Sequence, residues 1–420
     1  MKSTTKQSLM KRVNSQSPFT NTCKPFDSGT SYQLLHRAIG QHLSIALFLL
    51  LSMGVGLGTA TAQTQTRAYV TNEFSSTVSV IDATTNTVIA TIPVGSVPAA
   101  VAITPDGTRA YVTNELDNTV SVIDTASNTV VATIAVGLVP TGVAITPDGT
   151  RAYVRNVGDN SVSVIDTATN TVVATILVGA VPVGLNPEGV AITPDGTRAY
   201  VTNALDNTVS VIDTATNTVI ATIPAVGPFP EKIAITPDGN RAYVTDAAGA
   251  SVSVIDTATN TVVATVPVGA FPAGVAITLD GTRTYVTNLS DRTVSVISTA
   301  TNTAVATIPV GLFPVGVAIT PDGTRAYVTN SLDNTVSVID TAINTEVATI
   351  SVGARPFAVA ITPAPQAPKS KEELQAWWVS EVRSACRTFQ ESRAVRQLRR
   401  ASLALARRSK SHRAGARSAE

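Results

Sequence analysis

The chain has 420 residues and a formal net charge of +1, a near-neutral total that hides three zones: net +5 over 1–62, −12 over 63–365 and +8 over 366–420. The long acidic zone contains no His, Cys, Met or Trp, so it offers no ligands for a haem, copper or zinc site of ordinary type and no base for a Ser-His-Asp triad. The chain's two cysteines, Cys23 and Cys386, lie outside that zone, so a disulfide framework within it is excluded as well.

At the N-terminus, Lys2, Lys6, Lys11, Arg12, Lys24 and Arg37 precede the apolar run Leu43–Leu57, which ends in Gly58-Thr59-Ala60-Thr61-Ala62. A basic region, an apolar stretch too short for a comfortable membrane span and a small-x-small site at Ala60 and Ala62 are the parts of a cleavable export signal. The expectation for residues 1–62 is a signal peptide with a long basic n-region; an uncleaved anchor is the alternative, and Met10 is an alternative start. Export to the periplasm, the cell surface or the medium follows from either.

From Arg67 to Pro363 a unit of about forty-two residues recurs seven times, marked by Tyr69, Tyr111, Tyr153, Tyr200, Tyr243, Tyr285 and Tyr327 at intervals of 42, 42, 47, 43, 42 and 42 residues. In the second copy, Ala110–Asn114, Val120–Asp124, Val130–Val136 and Gly142–Thr146 are short runs rich in Val, Ile, Thr and Ala. Glu115–Asn118, Thr125–Asn128 and Pro147–Thr150 carry Asp-Asn, Ser-Asn and Asp-Gly turn chemistry. Four antiparallel strands repeated at this period are the plan of a propeller blade. Gly142, Ala144 and Thr146 share one strand face, and their small size suits the crowded strand beside an axis. The expected order outward is Val143–Thr146, Ala110–Asn114, Val120–Asp124, Val130–Val136.

The first copy has no innermost strand before it, and the last ends with one, Phe357–Thr362, that no Tyr-Val-Thr-Asn run follows. A blade built from three N-terminal strands and one C-terminal strand resolves both ends and removes the edges an open array would expose. The fold predicted for 63–365 is therefore all-β: a seven-bladed propeller with four antiparallel strands per blade, closed by its two termini. An open solenoid is the alternative, which the complementary missing strands disfavour.

Tyr-Val-Thr-Asn, Val-Ser-Val-Ile-Asp, Thr-Asn-Thr-Val and Ala-Ile-Thr-Pro-Asp-Gly together resemble the YVTN family of β-propeller repeats over residues 67–363. The resemblance implies a seven-bladed propeller of the kind found on surface-layer and periplasmic proteins of bacteria and archaea. It also implies likeness in fold to lactonase-type and cofactor-bearing redox propellers. Fold likeness transmits no activity.

Two sets of aspartates recur blade by blade: Asp106, Asp148, Asp195, Asp238, Asp280 and Asp322 before glycine, and Asp82, Asp124, Asp166, Asp213, Asp256 and Asp340 at the end of the second run. Such placement fits turn-forming Asp and distributes carboxylates round a ring, where a calcium site needs several oxygens converging. No catalytic residue, metal or cofactor is assigned. Alternation puts the Pro-Asp-Gly and Thr-Asn turns on one face, which barely varies between copies. The other face carries the turns after Tyr-Val-Thr-Asn and the blade links, and these differ from copy to copy. Loops on a rigid scaffold are the usual place for recognition, and exposed aromatics for anchors. The candidate binding residues are Phe229, Phe271, Phe313, Phe357, Arg155, Arg355, Glu188 and Lys232, facing an unknown protein or envelope ligand. The competing reading makes the phenylalanines plugs between blades.

The basic tail, residues 366–420, opens with the capping box Ser370–Glu373, followed by Leu374, Trp378, Val382, Ala385 and Phe389 at helical spacing. It reads as a basic amphipathic helix for a membrane or polyanion, as a disordered extension, or as an out-of-frame product. For the last, Leu374–Val379 encoded as CTG CAA GCC TGG TGG GTA would give Cys-Lys-Pro-Gly-Gly-Tyr when read one base later, similar to the Lys-Glu-Glu/Asp-Cys-Lys-x-Gly-Gly segment that the resemblance implies. Membrane contact is confined to the N-terminal signal or this tail. Nucleic acid is not an expected partner of an acidic propeller, and the chain is read as a monomer. The leading functional reading is an exported, non-enzymatic propeller acting as a binding or cell-surface module. The alternative is a lactonase-like hydrolase using carboxylates or a metal near the channel.

Overall fold

The computed structural model describes residues 66–178 and 187–364, so Ala60, Ala62 and the tail lie outside the described residues. Seven four-stranded antiparallel sheets follow one another, each an alternation of β-branched residues that packs well on a pleated surface. Blade 1 combines Pro356–Ile361 with Arg67–Asn72, Thr77–Asp82 and Thr87–Pro93. Ala68 faces Ile361 and Val70 faces Val359 across the terminal joint. The Thr362 amide donates to the Arg67 carbonyl at 2.9 Å, and the Arg67 amide to Thr362 Oγ1 at 2.9 Å.

The innermost strands of blades 2 to 7 are Pro98–Ile103, Pro140–Ile145, Pro187–Ile192, Pro230–Ile235, Pro272–Ile277 and Pro314–Ile319. This corrects the expected strand order in one respect. The strand inside Ala110–Asn114 is Pro98–Ile103, not Val143–Thr146, because Val143 pairs with Val154 of the following copy. Each blade thus joins the last run of one repeat to the first three of the next, and every repeat is stitched to its successor.

The core lies between blades. Tyr69, Val78 and Val80 of blade 1 pack with Ala110, Val112 and Ile123 of blade 2, and equivalent clusters fill the other junctions. The second strand inside each blade is almost wholly buried while the fourth is half-exposed, which is why apolar residues occupy both faces of the former. Polar staples cross the same junctions. Each repeat tyrosine donates to an asparagine of the next blade, as Tyr69 to Asn128 Oδ1 at 2.9 Å and Tyr111 to Asn170 Oδ1 at 2.9 Å. Those asparagines end their turns with φ of 53° to 55°, a left-handed conformation that Asn tolerates. Arg67, Arg109, Arg198 and Arg283 add a guanidinium bond to a threonine carbonyl of the next blade at 2.8–3.0 Å.

The two faces separate as the alternation predicts. On one, Thr125 Oγ1 donates to the Gly107 carbonyl at 2.6 Å, tying the Thr-Asn turn to the Pro-Asp-Gly turn. On the other, the Glu115 amide donates to the Val97 carbonyl at 3.0 Å, tying the variable turn to the blade link.

Candidate functional site

Each innermost strand starts with proline and then bulges, as between Pro272 and Val275 opposite Asn288 and Val286. The bulge is held by the threonine of Tyr-Val-Thr-Asn. Thr287 Oγ1 accepts from the Gly274 amide at 2.7 Å within its blade and donates to the Val315 carbonyl of the next at 2.8 Å. Thr329 does the same between Gly316 at 2.8 Å and Phe357 at 2.8 Å, and Thr202 between Gly189 at 2.7 Å and Glu231 at 2.6 Å. Glycine gives clearance at this junction, since a Cβ on Gly274 would stand 2.3 Å from the Val315 oxygen, whereas Ala100, Lys232 and Ala358 hold the equivalent place in blades 2, 5 and 1. This collar surrounds a central cavity of about 230 Å³ bordered by all seven inner strands, with Phe357 and Lys232 on its wall. Lys232 is the charged side chain on that wall among the described residues.

Arg155 stands where the collar threonine would be in blade 3. It is 0% exposed and donates to Thr141 Oγ1. Gly142 makes the room: a Cβ there would lie 3.1 Å from Arg155 Nε. Sequence comparison between repeats picked out this residue as a departure, and the structure places it inside the wall rather than on the loop face.

At the mouth, the link residues Val97, Val139, Phe229, Phe271, Phe313 and Arg355 all have φ between 53° and 57°. The backbone reason is common to the six: their carbonyls accept amides of the following variable turn, as Phe271 from Leu289 at 2.9 Å and Phe313 from Ser331 at 3.0 Å. The side chains are then free to vary. Phe271 is 56% exposed, Phe313 39%, and Phe229 half-buried. Leu116, Leu205, Leu332 and Phe74 of the neighbouring turns are also exposed, so this face carries a discontinuous apolar crown. The side chain of Glu188 lies outside the described residues.

Arg355 belongs to the terminal joint. It stacks over Phe74 at 4.7 Å from the ring centroid and pairs with Glu73 Oε2 at 3.0 Å. Burial pushes the Glu73 carboxyl up to about 7, with Arg355 pulling against it. A second perturbed carboxyl, Asp246, replaces the asparagine of Tyr-Val-Thr-Asn in blade 5. It is fully buried, accepts from Ser251 and Ser253 hydroxyls at 2.9 Å each, and burial lifts it to about 6. Neither was among the sequence-derived candidates; for Asp246 the signal was present, as a carboxylate where the other copies carry an amide.

The recurrent aspartates take the turn roles expected of them. Asp106 Oδ1 accepts from the Thr108 amide at 3.0 Å and Thr104 Oγ1 at 2.6 Å, and Asp124 Oδ1 accepts from the Ser127 amide at 2.8 Å. Among the described residues, no group of three or more His, Cys, Asp or Glu is placed to hold a metal ion.

A family model described as Choice-of-anchor I domain matches residues 58–229. No protein of curated function matches the sequence. Among solved structures, hydrazine synthase of Kuenenia stuttgartiensis is 27% identical, with 66% of this chain and 92% of that chain covered at a TM-score of 0.59. A periplasmic gluconolactonase of Pseudomonas aeruginosa is 19% identical, covering 72% and 100% at 0.62. A putative 6-phosphogluconolactonase of Bacteroides uniformis is 15% identical, covering 71% and 100% at 0.60. The last two likenesses are of fold.

Proposed function

We propose that this chain is an exported, non-enzymatic β-propeller that binds a protein or envelope ligand on its variable-loop face. The observation that carries the reading is the series of bulky link residues held at positive φ, three of them phenylalanine. Left-handed backbone is strained for large side chains and open to glycine or asparagine. Bulk retained there, with Phe271 56% exposed, points to a role for the side chain, and strained positions cluster at recognition sites. Arg355, Phe357 and Lys232 extend the surface into the channel mouth. The match to a Choice-of-anchor I domain supports a cell-surface or exported setting, as does the signal-like N-terminus.

The test compares the full chain with a Phe271→Ala, Phe313→Ala double variant for attachment to envelope material. Loss of attachment with an unchanged unfolding midpoint supports the reading. A lower midpoint with full attachment would show that the rings serve packing and would sink it. The second reading, a lactonase-like hydrolase working at the channel, has the fold likeness to gluconolactonases in its favour. Turnover of ester or lactone substrates by the full chain, lost on altering Lys232, would establish it instead.

A further inference from the structure

On the face that barely varies between copies, the Asp-Gly turn of one blade leans on the proline before the turn of its neighbour. A Cβ on Gly149 would stand 3.4 Å from Pro105, one on Gly196 3.4 Å from Pro147, one on Gly239 3.5 Å from Pro194, and one on Gly281 3.4 Å from Pro237. Pro363 covers Gly107 in the same way across the terminal joint, at 3.5 Å. The series breaks at a single described turn: Gly323 has nothing within 4 Å of that position, because Leu279 occupies the place of the proline. Leu279 turns outward, 66% exposed. The space it leaves is a pocket of about 550 Å³ between blades 6 and 7, walled by Leu279, Asp280, Arg283, Asp322, Thr341 and Ala342. The corresponding pocket between blades 4 and 5, where Pro194 is in place, measures about 270 Å³.

A second departure lies one residue beyond the pocket wall. Ile343 follows the wall residue Ala342 in sequence, at a position where the other copies have Thr or Ser, and it is 65% exposed. Leu279 and Ile343 are thus two large exposed aliphatic side chains near one seam of a face whose other turn residues are chiefly Pro, Asp, Gly, Thr, Ala and Asn. The charge of the face is known from its residues: twelve aspartates of the two recurrent sets against seven arginines at the strand starts. In the pocket itself Asp280 and Asp322 outnumber Arg283, whose guanidinium is already engaged with the Thr341 carbonyl at 2.8 Å. Hydroxyl and amide donors from Thr278 and Thr282 hold the Asp280 carboxyl below its ordinary range, so it stays ionised.

We propose that the seam between blades 6 and 7 is a docking pocket for a basic peptide segment of a partner protein, one that carries a leucine-sized side chain beside lysine or arginine. The aliphatic side chain fills the space over Gly323 beside Leu279, with the exposed Ile343 at the rim, and the adjacent cation lies against Asp280 and Asp322. The pocket is independent of the loop-face reading, since it opens on the opposite face. Its volume is in the range of small ligand sites, and a buried aliphatic anchor with a charged rim is the usual division between affinity and specificity.

The test uses fluorescence anisotropy of the full chain with a labelled Lys-Leu-Arg-Leu-Lys peptide and its Glu-Leu-Glu-Leu-Glu counterpart. Leu279→Pro and Ile343→Thr restore residues that other copies carry, so folding is preserved and net charge is unchanged. Wild type binds the basic peptide and not the acidic one, and each variant loses about tenfold in affinity. Equal binding by wild type and variants would reduce the effect to general attraction between opposite charges and overturn the proposal, as would the absence of binding. Concentration-dependent self-association of the wild type that Leu279→Pro abolishes would assign the pocket to a second copy and overturn it too.

Discussion

The Tyr327 hydroxyl donates to Asn86 Oδ1 at 2.8 Å across 241 residues of sequence, the same staple that joins every other pair of neighbouring blades. Here it links the last blade to the first, so a ring whose ends are not covalently joined is sealed by the contacts that run round the rest of it. Burial pushes the Tyr327 phenol up to about 12, so it stays protonated and donating at any ordinary pH.

Tyr327→Phe deletes this bond while keeping the ring in its cluster. A single net hydrogen bond contributes about 1 kcal/mol, more when the partner is left buried and unsatisfied. Denaturant unfolding is expected to show a loss of about 1–2 kcal/mol. Tyr111→Phe, in the interior of the series, is expected to cost a similar amount. Native-state hydrogen exchange should then distinguish them, with the strand Pro356–Ile361 opening earlier in Tyr327→Phe alone.

Gly274→Ala brings a methyl against the Val315 oxygen, 2.3 Å from its built position. The nearest atom is backbone, and the next, Thr287 Oγ1 at 3.0 Å, is the bridging hydroxyl itself, so yielding would break the bridge. Overpacking of this kind costs about 1–3 kcal/mol, and a lowered thermal midpoint is the expected result. Unchanged stability would mean that the collar of threonine-bridged strands is looser than its geometry.

Asp246→Asn is expected to stabilise the fold at neutral pH. Asn72 in the equivalent place donates its amide to Thr77 and Ser79 hydroxyls at 3.1 and 2.9 Å, a bond set the carboxylate cannot make as donor. The folded carboxyl titrates near 6, above its ordinary value of 3.8. Between those values the native state binds the proton and the unfolded chain does not, so the native protein loses stability as pH rises from about 4 to 6 and levels off above. The variant removes that slope. Its advantage should be roughly 1–3 kcal/mol at pH 7 and fade toward pH 4, measured as unfolding free energy against pH.

Arg355→Ala should raise the Glu73 carboxyl beyond about 7, because the guanidinium at 3.0 Å is what opposes its desolvation. A carbon-detected NMR titration of the Glu73 side chain reads this directly. A downward move would mean that water enters when the arginine leaves, and that the stacked Phe74 does not keep the joint dry.

Much of this protein could be read from its repeats. Blade number, strands per blade and the joining of Phe357–Thr362 to Ala68–Asn72 were legible because strand pairing is nearly local and the missing strands at the two ends are complementary. The division of the turns between two faces followed from alternation alone. What one strand lies beside was less legible, as the place of Val143–Thr146 shows: a hairpin reads equally well within a repeat or across its boundary. The aspartates were correctly read as turn residues, since their partners are two or three residues away.

The sequence by itself determined the architecture, because a seven-times repeated alternation of β-branched residues and turn signals has one closed solution. Only the tertiary structure decided what the departures from the repeat do. Arg155 is enclosed by Gly142, Asp246 is buried beside Ser251 and Ser253, and Leu279 leaves Gly323 uncovered. Each outcome is set by a neighbour packed from another strand or the next blade, and burial, desolvation and free space are properties of that packing, which the order of residues along one strand does not carry.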